Sequence, residues 1–404
     1  MSSAGTSPTD LPPHAAVSFP RLRELAALFL KLGTVSFGGP AAHVALIEQE
    51  VVGKRQWVTR QQFLDMLGAA NLIPGLTSTE MAINVGFVRA GWAGLCVAGA
   101  SFILPAALIT GAFAWAYVRF GALPQAGSLL AGIKPAVIAI IAIAIWRLGK
   151  AAVKDAGLAI LGGLSLAAFF FDLNPIAILF GGGLVGMLAR RAASIRTSGS
   201  ALAAIVIRKP ALAIFAVTPL AAGTVARPSI GRIALFFLKV GAVLYGGGYV
   251  LLAFLEQGLV QQHAWLTRQQ LLDAVAIGQF TPGPVLSTAT FIGYILGGVP
   301  GAAVATVGIF LPSFFYVALL APVLFRLRQS AWIAAFLDSV NVSAVALMAG
   351  VTFRLALDAL RGWPTWVIAI VSLGVLLRWK VSPAWVVLGG GIAGLLLALM
   401  RVQL

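Results

Sequence analysis

The sequence predicts an all-α polytopic membrane protein made of two homologous repeats of about six spans each. Three observations predict this fold class. Of the 404 residues, 60% are hydrophobic and only 10% are charged, whereas a soluble domain is typically about a quarter charged. Apolar segments of roughly 20 residues, long enough to cross a bilayer, recur about a dozen times. The chain also matches itself at a nearly constant offset.

The basic residues give the chain a formal net charge of +16, but they do not indicate a nucleic-acid partner. They are scattered between apolar spans and form no basic face with interleaved aromatic residues. This distribution is typical of topogenic charge on cytoplasmic loops. Cys96 is the only cysteine, so no disulfide framework and no cysteine metal site are expected.

No catalytic constellation is present in the sequence. The histidines are His14, His43 and His263, and none belongs to a metal-binding or nucleophilic motif. The glycine runs lack the Lys-Ser/Thr pair of a phosphate-binding loop. We therefore expect neither an enzyme nor a cofactor, and we expect an ion gradient or a counter-solute, not ATP, as the energy source.

The two halves of the chain match at an offset of 208 residues without a gap. The matched segments are 29–33 with 237–241, 37–39 with 245–247, 59–62 with 267–270, and 74–75 with 282–283. Loss of one residue then shifts the offset to 207, which pairs Leu104-Pro105 with Leu311-Pro312. Chance does not produce such a register, so the halves are homologous.

The repeats define the predicted domains: a disordered tail over 1–20, a first transmembrane repeat over 21–190, a connector over 191–229 and a second transmembrane repeat over 230–404. Residues 210–226 of the connector are apolar but contain Pro219. If this stretch crosses the bilayer, the chain has thirteen spans and inverted repeats. If it does not, there are twelve spans and parallel repeats. Transporters use both arrangements.

Loop charge favours inverted repeats and a cytoplasmic N-terminus. Basic residues of the first half fall mostly on one side: Arg21, Arg23, Arg147, Lys150, Lys154, Arg190, Arg191 and Arg196. Lys54, Arg55 and Arg60 fall on the opposite side, which conflicts with this orientation unless residues 47–62 are amphipathic or re-entrant. In the second half, inversion leaves five basic residues inside and four outside, which decides nothing alone.

Each half contains two helix-breaking motifs within apolar spans. They are Ser36-Phe37-Gly38-Gly39-Pro40 with its match Tyr245-Gly246-Gly247-Gly248, and Pro74-Gly75-Leu76-Thr77-Ser78 with its match Pro282-Gly283-Pro284 followed by Ser287. In a helix interior, Gly costs roughly 1 kcal/mol and Pro roughly 3 kcal/mol relative to Ala. A broken span frees N–H groups at a positively polarised helix N-terminus, and such backbone must face protein or a watery cavity. We expect the four breaks to meet as an anion-binding site, unless they are only kinks or close-packing sites.

Four ionisable residues in the spans are further candidates. Lys31 and Lys239 lie seven residues before the glycine pairs, and they either assist binding electrostatically or snorkel to the lipid head groups. Glu80 follows Gly75 by five residues; it either carries the coupling proton or stabilises a helix N-terminus. Lys134 either adds positive charge to the cavity or marks a helix start.

These motifs resemble those of the chromate ion transporter family in its long form, which has two homologous domains. The resemblance covers about residues 22–400 and rests on Phe-Gly-Gly-Pro at 37–40, the glycines at 246–248, Pro-Gly at 74–75, Pro-Gly-Pro at 282–284 and a Trp-x-Thr segment after each first span. It implies antiparallel domains, an odd number of spans, export of chromate from the cytoplasm, chromate resistance and use of the proton motive force. Leu76 departs from the pattern, because Pro284 stands at that place in the second half.

We therefore expect a secondary transporter, an antiporter that exports the divalent oxyanion chromate across the bacterial cytoplasmic (inner) membrane. The expected partners are the oxyanion, the lipid bilayer and protons as the coupling ion, with a homodimer as one oligomeric option. Sulfate has the same charge and nearly the same shape, so a transporter of sulfate or another oxyanion is the first alternative. A membrane scaffold without transport is the second.

Overall fold

The computed structural model describes residues 18–37, 39–121, 123–197, 228–245, 248–320, 330–379 and 381–400. Within these ranges the chain is almost entirely helical and has no β-strand, which confirms the predicted fold class. The predicted connector stretch at 210–226 lies outside the described residues.

Each repeat contributes seven α-helices to the described part of the chain. The first contains α1 (Phe19–Val35), α2 (Pro40–Glu48), α3 (Arg60–Ala70), α4 (Thr77–Phe120), α5 (Pro124–Ala152), α6 (Ala156–Phe170) and α7 (Pro175–Thr197). The second contains α8 (Ile230–Val243), α9 (Leu251–Leu255), α10 (Arg268–Phe280), α11 (Thr288–Leu320), α12 (Ala331–Ala359), α13 (Trp363–Arg378) and α14 (Pro383–Leu399). By length and composition, α4, α5, α11 and α12 contain segments that can cross a membrane. The shorter α6, α7, α13 and α14 are also apolar.

Local features recur at the same places in both repeats. A π-helical turn occurs at Gln49–Lys54 and again at Glu256–Gln262. Thr59 and Thr267 cap α3 and α10 through reciprocal bonds with the glutamine three residues on, the arrangement called a capping box. The two longest helices, α4 and α11, are each interrupted by a glycine with positive φ, as described next. Homology of the halves is therefore visible in the backbone.

The helix α4 reverses direction at Gly91, where φ is +58°. The reversal divides it into a short arm before Gly91 and a long arm after it, and Gly86 of the short arm packs directly against Gly94 and Ala98 of the long arm. Gly298, with φ of +63°, reverses α11 in the same way. Only glycine adopts this backbone geometry without strain.

Alanine at Gly91 tests this reading of the reversal. An added Cβ would meet no atom within 4 Å at Gly91 or at Gly163, a helical glycine of α6, so the two sites differ in backbone conformation and not in space. We expect Gly91→Ala to lower the free energy of unfolding by about 1–3 kcal/mol. Gly163→Ala should be neutral or stabilising by up to about 1 kcal/mol. Equilibrium unfolding in mixed detergent micelles measures both, and equal effects would contradict the interpretation.

The first two apolar spans of the first repeat fold into two helical hairpins with their open ends together. Glu24, near the start of α1, forms a 3.3 Å ion pair with Arg89 at the end of the short arm of α4. The Arg89 guanidinium also lies 5.0 Å from the ring centre of Trp57, which follows α2. The chain therefore leaves this end along α1, returns along α2, leaves again along α3 and returns along the short arm of α4.

The second repeat forms the same pair of hairpins. Phe236 of α8 lies 6.2 Å, centre to centre, from Trp265, which follows the second π-helical turn. Gly297, at the reversal of α11, packs against Ile230 and Ile233 at the start of α8. The start of α8, the end of the α8–α9 hairpin and the reversal of α11 thus lie together, as their counterparts do in the first repeat.

Helices that occupy equivalent places in the two repeats run in opposite directions. On α5 and α12, Gly149 faces Val345, because a Cβ added at Gly149 would lie 3.9 Å from Val345 Cγ1. Just after α5, Lys154 forms a 2.6 Å ion pair with Asp338, near the start of α12. Residue numbers rise along one helix as they fall along its equivalent. The repeats are therefore inverted relative to each other.

The two ends of the molecule carry different residues. Because α5 returns after a short turn following the long arm of α4, its last residues and Lys154 lie at the end that holds Glu24 and Arg89. We call this the proximal end. The start of α10 and the end of α12 lie at the opposite, distal end, where Arg268 and Asp358 are 3.5 Å apart.

The hairpin path removes the conflict in the loop charges. Lys54 and Arg55 both pair with Glu50, and the Arg55 guanidinium lies 5.5 Å from the ring centre of Trp57. These cations are consequently at the proximal end, together with Lys154. The conflict arose because residues 22–46 read as one straight crossing, whereas the chain turns back after α1.

Candidate functional site

The tips of the four hairpins meet at the centre of the molecule. The N–H of Gly75 donates a 2.7 Å hydrogen bond to the carbonyl of Leu244, and the N–H of Gly283 donates a 2.8 Å hydrogen bond to the carbonyl of Ser36. Ser36 and Leu244 are equivalent in the two repeats, as are Gly75 and Gly283. Each Pro-Gly break is therefore bonded to the break after the first helix of the other repeat.

Glycine is required at these tips by backbone conformation. The φ angles are +84° at Gly39, +142° at Gly75 and +87° at Gly283, in the region that other residues adopt only with strain. Gly75 also has no room for a side chain, because a Cβ there would collide with Glu80 Oε1 and Ser313 Oγ. The helix-breaking motifs thus form tight, specific turns.

A cavity of about 940 Å³ extends from these tips towards the proximal end. The breaks of the first repeat contribute Gly39, Pro40, Gly75 and Thr77 to its lining, and those of the second contribute Tyr245 and Gly248. Its walls come from the last part of α5 and the first part of α12. Both repeats therefore line one cavity.

Two helices of the first repeat begin at this cavity. The helix α2 starts at Pro40 and α4 starts at Thr77, and within the described part of the chain neither has a side-chain cap at its N-terminus. The free N–H groups and the helix dipole place positive polarisation there. The Thr77 hydroxyl, which donates a 3.2 Å hydrogen bond to Asn71 Oδ1, also lies in the cavity lining. The arrangement suits an anion.

The remaining residues of the predicted site surround the same centre. Ser36 is buried and its carbonyl also lies 3.1 Å from His43 Nε2. Ser78 is buried beside the other nitrogen of that ring, at 3.4 Å. Pro74 and Pro282 precede the two bonded glycines, and Ser287 is buried against Thr110. Three predicted residues lie outside the described residues: Gly38, Gly246 and Gly247.

The two lysines predicted as electrostatic helpers are not in the cavity lining. Lys31 is exposed and forms a 3.4 Å ion pair with Glu50. Lys239 is exposed on the equivalent face of α8. The structure thus does not bring these lysines together with the central breaks, and both positions fit the snorkelling alternative.

Glu80 is fully buried next to the Gly75 tip. Neither of its carboxylate oxygens has a hydrogen-bond partner within the described part of the chain, and the Ser313 hydroxyl beside it has none either. Ser313 belongs to α11 of the second repeat. This carboxyl group therefore lies at the contact between the repeats, in the place from which the cavity starts.

Lys134 lies away from the cavity and is buried in an ion pair between the repeats. Its Nζ is 3.0 Å from Asp273 Oδ1 on α10. The hydroxyl of Tyr117, at the distal end of α4, donates a 2.9 Å hydrogen bond to Asp273 Oδ2. The counterpart of Lys134 is Asn341, which lines the cavity instead. The repeats thus differ at equivalent positions.

The prediction missed the charged residues of the cavity wall. Arg147 and Lys154 line it from the side of α5, and Asp338 lines it from α12. Lys154 and Arg190 both pair with Asp338, and Arg190 also pairs with Asp155. The N–H of Leu158 and then the Arg190 guanidinium hold the pKa of the exposed Asp155 carboxyl below its usual value. Arg147 shares one face of α5 with other cavity-lining residues at helical spacing, but only the fold shows that this face lines the cavity.

Inverted repeats whose helix breaks meet beside a cavity define a membrane transport protein. The family model described as chromate transporter matches the chain twice, over residues 23–187 and 231–395. The chain belongs to the chromate transporter family.

The similar proteins include chains with two repeats and chains with one. The chain is 35% identical to a chromate transport protein of Cupriavidus metallidurans, over 95% of this chain and 94% of that one. It is 29% identical to a chromate transport protein of Pseudomonas aeruginosa, over 92% and 91% of the two chains. An uncharacterized transporter of Bacillus subtilis is 30% identical over 39% of this chain but 93% of its own length, so one repeat corresponds to a whole relative. No solved structure matches the chain at a significant level.

Proposed function

We propose that this protein is a secondary active transporter that exports chromate across the bacterial cytoplasmic membrane and thereby gives chromate resistance. The observation that carries the proposal is the meeting of four helix breaks beside one cavity, through the bonds from Gly75 to Leu244 and from Gly283 to Ser36. Membership of the chromate transporter family supports the choice of substrate.

Chromate is a tetrahedral dianion, and the centre offers suitable donors for it. The uncapped N-termini of α2 and α4 present N–H groups, and the Thr77 hydroxyl stands beside them. Such donors are preorganised and need no charged side chain at the binding point itself. In this mechanism the dianion binds at Gly39, Gly75 and Thr77 and leaves when the repeats rock against each other.

Protons supply the driving force in this mechanism, and Glu80 carries them. A carboxylate that is fully buried without a hydrogen-bond partner is costly when charged, so the residue takes up a proton unless a compensating charge arrives. Glu80 Oε1 and Ser313 Oγ of the second repeat both lie against the Gly75 tip. A change in its charge therefore acts where the two repeats and the oxyanion meet.

The proximal end faces the cytoplasm in this proposal, and the N-terminus lies there. Arg55, Arg89 and Lys154 are at this end, as topogenic charge requires of the cytoplasmic side. The cavity extends towards the same end. The structure then corresponds to the state that receives cytoplasmic chromate.

Chromate flux into proteoliposomes, with and without an imposed pH gradient, tests the proposal. We expect protein-dependent flux that the gradient accelerates. In Glu80→Gln, the gradient-driven flux should fall about tenfold or more, because the residue can no longer exchange a proton. Glu24→Gln, an exposed surface carboxylate, should behave as the wild type.

The possible results separate the two parts of the proposal. Absence of protein-dependent chromate flux would refute chromate transport. A Glu80→Gln variant with an unchanged response to the gradient would leave chromate transport intact and refute the role of Glu80. Excess sulfate added to the same vesicles distinguishes the alternative substrate, since complete inhibition by sulfate would favour a general oxyanion transporter.

A further inference from the structure

Arg147 differs from the other charged groups of the cavity wall. The cavity face of α5 follows helical spacing: Ile140, Ile143, Ala144, Arg147 and Ala151. The side chain of Arg147 is exposed on this face. Among the described residues, it has no ion pair, hydrogen bond or aromatic contact. The remaining wall of α5 is aliphatic, so this guanidinium is the polar group that α5 presents to the middle of the cavity.

The neighbouring charges are neutralised by carboxylates. Lys154 lies 2.6 Å from Asp338, and Arg190 lies 3.3 Å from the other oxygen of the same carboxylate. Two cations and one anion meet there, and Asp155 holds Arg190 from its other side at 2.6 Å. The mouth of the cavity therefore has little net field of its own, in contrast to Arg147 deeper inside.

The counterpart of Arg147 in the second repeat, Arg354, has a carboxylate partner. Arg354 occupies the equivalent place on α12. It forms a 2.7 Å ion pair with Asp172, and its guanidinium lies 4.6 Å from the ring centre of Phe169. The corresponding segment of the second repeat, residues 379–382 between α13 and α14, contains no carboxylate for Arg147. The open guanidinium is thus a specific feature of the proximal cavity.

We propose that Arg147 is the residue that receives the oxyanion in the cavity, before the anion reaches the helix N-termini at Gly39 and Thr77; this inference rests on the proposed function. A guanidinium binds a tetrahedral oxyanion through two parallel charge-assisted hydrogen bonds. A single unneutralised cation between aliphatic walls also concentrates anions, because field lines are focused in such a cleft. The ligand class is a divalent tetrahedral oxyanion. Asn341, on the opposite wall, supplies further hydrogen-bond donors.

Lys150 provides a matched control on the same helix. It carries the same charge three residues along, but its ammonium lies 4.6 Å from the ring centre of Trp146, an exposed side chain, and it does not line the cavity. A change at Lys150 alters the net charge of the protein as much as a change at Arg147. A difference between the two variants therefore reports position within the cavity.

The test compares initial chromate flux, over a range of chromate concentrations, for Arg147→Gln, Arg147→Lys and Lys150→Gln in proteoliposomes. We expect Arg147→Gln to raise KM about 10- to 100-fold and to reduce the dependence of flux on ionic strength. Arg147→Lys should retain the charge but lose the two-pronged geometry, giving an intermediate KM. Lys150→Gln should stay within about twofold of the wild type.

Direct binding separates this inference from the proposed function. Calorimetric titration of sulfate into each purified variant measures oxyanion binding without any transport, after the melting temperature has shown that the variant is folded. Weaker sulfate binding to Arg147→Gln than to Lys150→Gln supports the inference even if chromate flux is absent. An unchanged KM and unchanged sulfate affinity in Arg147→Gln would overturn it, whatever the wild type transports.

Discussion

Replacement of Gly75 by alanine should abolish transport in a protein that still folds. The backbone at Gly75 has φ of +142°, where a Cβ costs about 1–3 kcal/mol. The new methyl group would also collide with Glu80 and Ser313. The tip must then move, and its bond to Leu244 is lost or bent. Displacement of a functional group by about 1 Å commonly costs roughly 100-fold in rate, so we expect a loss of at least that size.

Gly181 of α7 is the matched control for this experiment. Its added Cβ would meet no atom within 4 Å and its φ is not positive, so Gly181→Ala should transport as the wild type does. Chromate flux and the melting temperature in detergent are measured for both variants. Flux within tenfold of the wild type in Gly75→Ala would show that the tip is not part of the transport site.

Neutralisation of either Lys134 or Asp273 should destabilise the protein strongly. The two side chains are almost fully buried, 6% and 3% exposed, and lie 3.0 Å apart. Removal of one partner leaves a buried charge without compensation, which typically costs about 3–5 kcal/mol. We expect this loss for Lys134→Met and for Asp273→Leu, measured by equilibrium unfolding in mixed detergent micelles.

The double variant distinguishes a structural ion pair from two independent effects. Lys134→Met combined with Asp273→Leu removes both charges, and apolar replacement of a buried pair is often neutral or stabilising. We therefore expect it to recover most of the lost stability. Glu24→Gln breaks an exposed pair with Arg89 and should cost less than about 1 kcal/mol. Additive losses in the double variant would mean that the two charges do not stabilise each other.

The sequence predicted the repeats and the breaks because both leave local marks. Pro74-Gly75 and its match at 282–283 can be recognised as helix breaks from the sequence alone, and self-comparison of the chain shows that they correspond. Their meeting at the centre followed from one physical argument, that bare backbone cannot face lipid. The bonds of Gly75 and Gly283 join each Pro-Gly break to the other repeat, and the binding of an anion there stays a prediction.

The direction of the chain after each break could not be predicted in the same way. An apolar run of about 25 residues reads alike whether it crosses the bilayer once or turns back at its middle. Contacts of Arg89 with Glu24 and Trp57 decide between these paths, and they join residues far apart in sequence. The position of Lys31 depends on the same turn of the chain. The sequence predicts it beside the site, whereas the structure shows it paired with Glu50.

The sequence did not predict Arg147 as a cavity residue, because the second repeat forms the opposite wall of the cavity. In the sequence it belongs to a cluster of basic residues after an apolar span, which topogenic charge explains equally well. Only the packing of α12 opposite α5 encloses it in a cavity and leaves its counterpart Arg354 paired with Asp172. Equivalent residues of two homologous repeats can therefore lie in different environments.

The reciprocal backbone bonds at the centre have a consequence for the transport cycle. If each half adopts the shape now held by the other, a distal opening replaces the proximal one, and Arg354 and Lys134 take the places of Arg147 and Asn341. Both cations must first leave Asp172 and Asp273. The Gly75–Leu244 bond, however, would take the geometry of the Gly283–Ser36 bond, and the reverse. Both bonds can therefore persist while the two repeats rotate against each other.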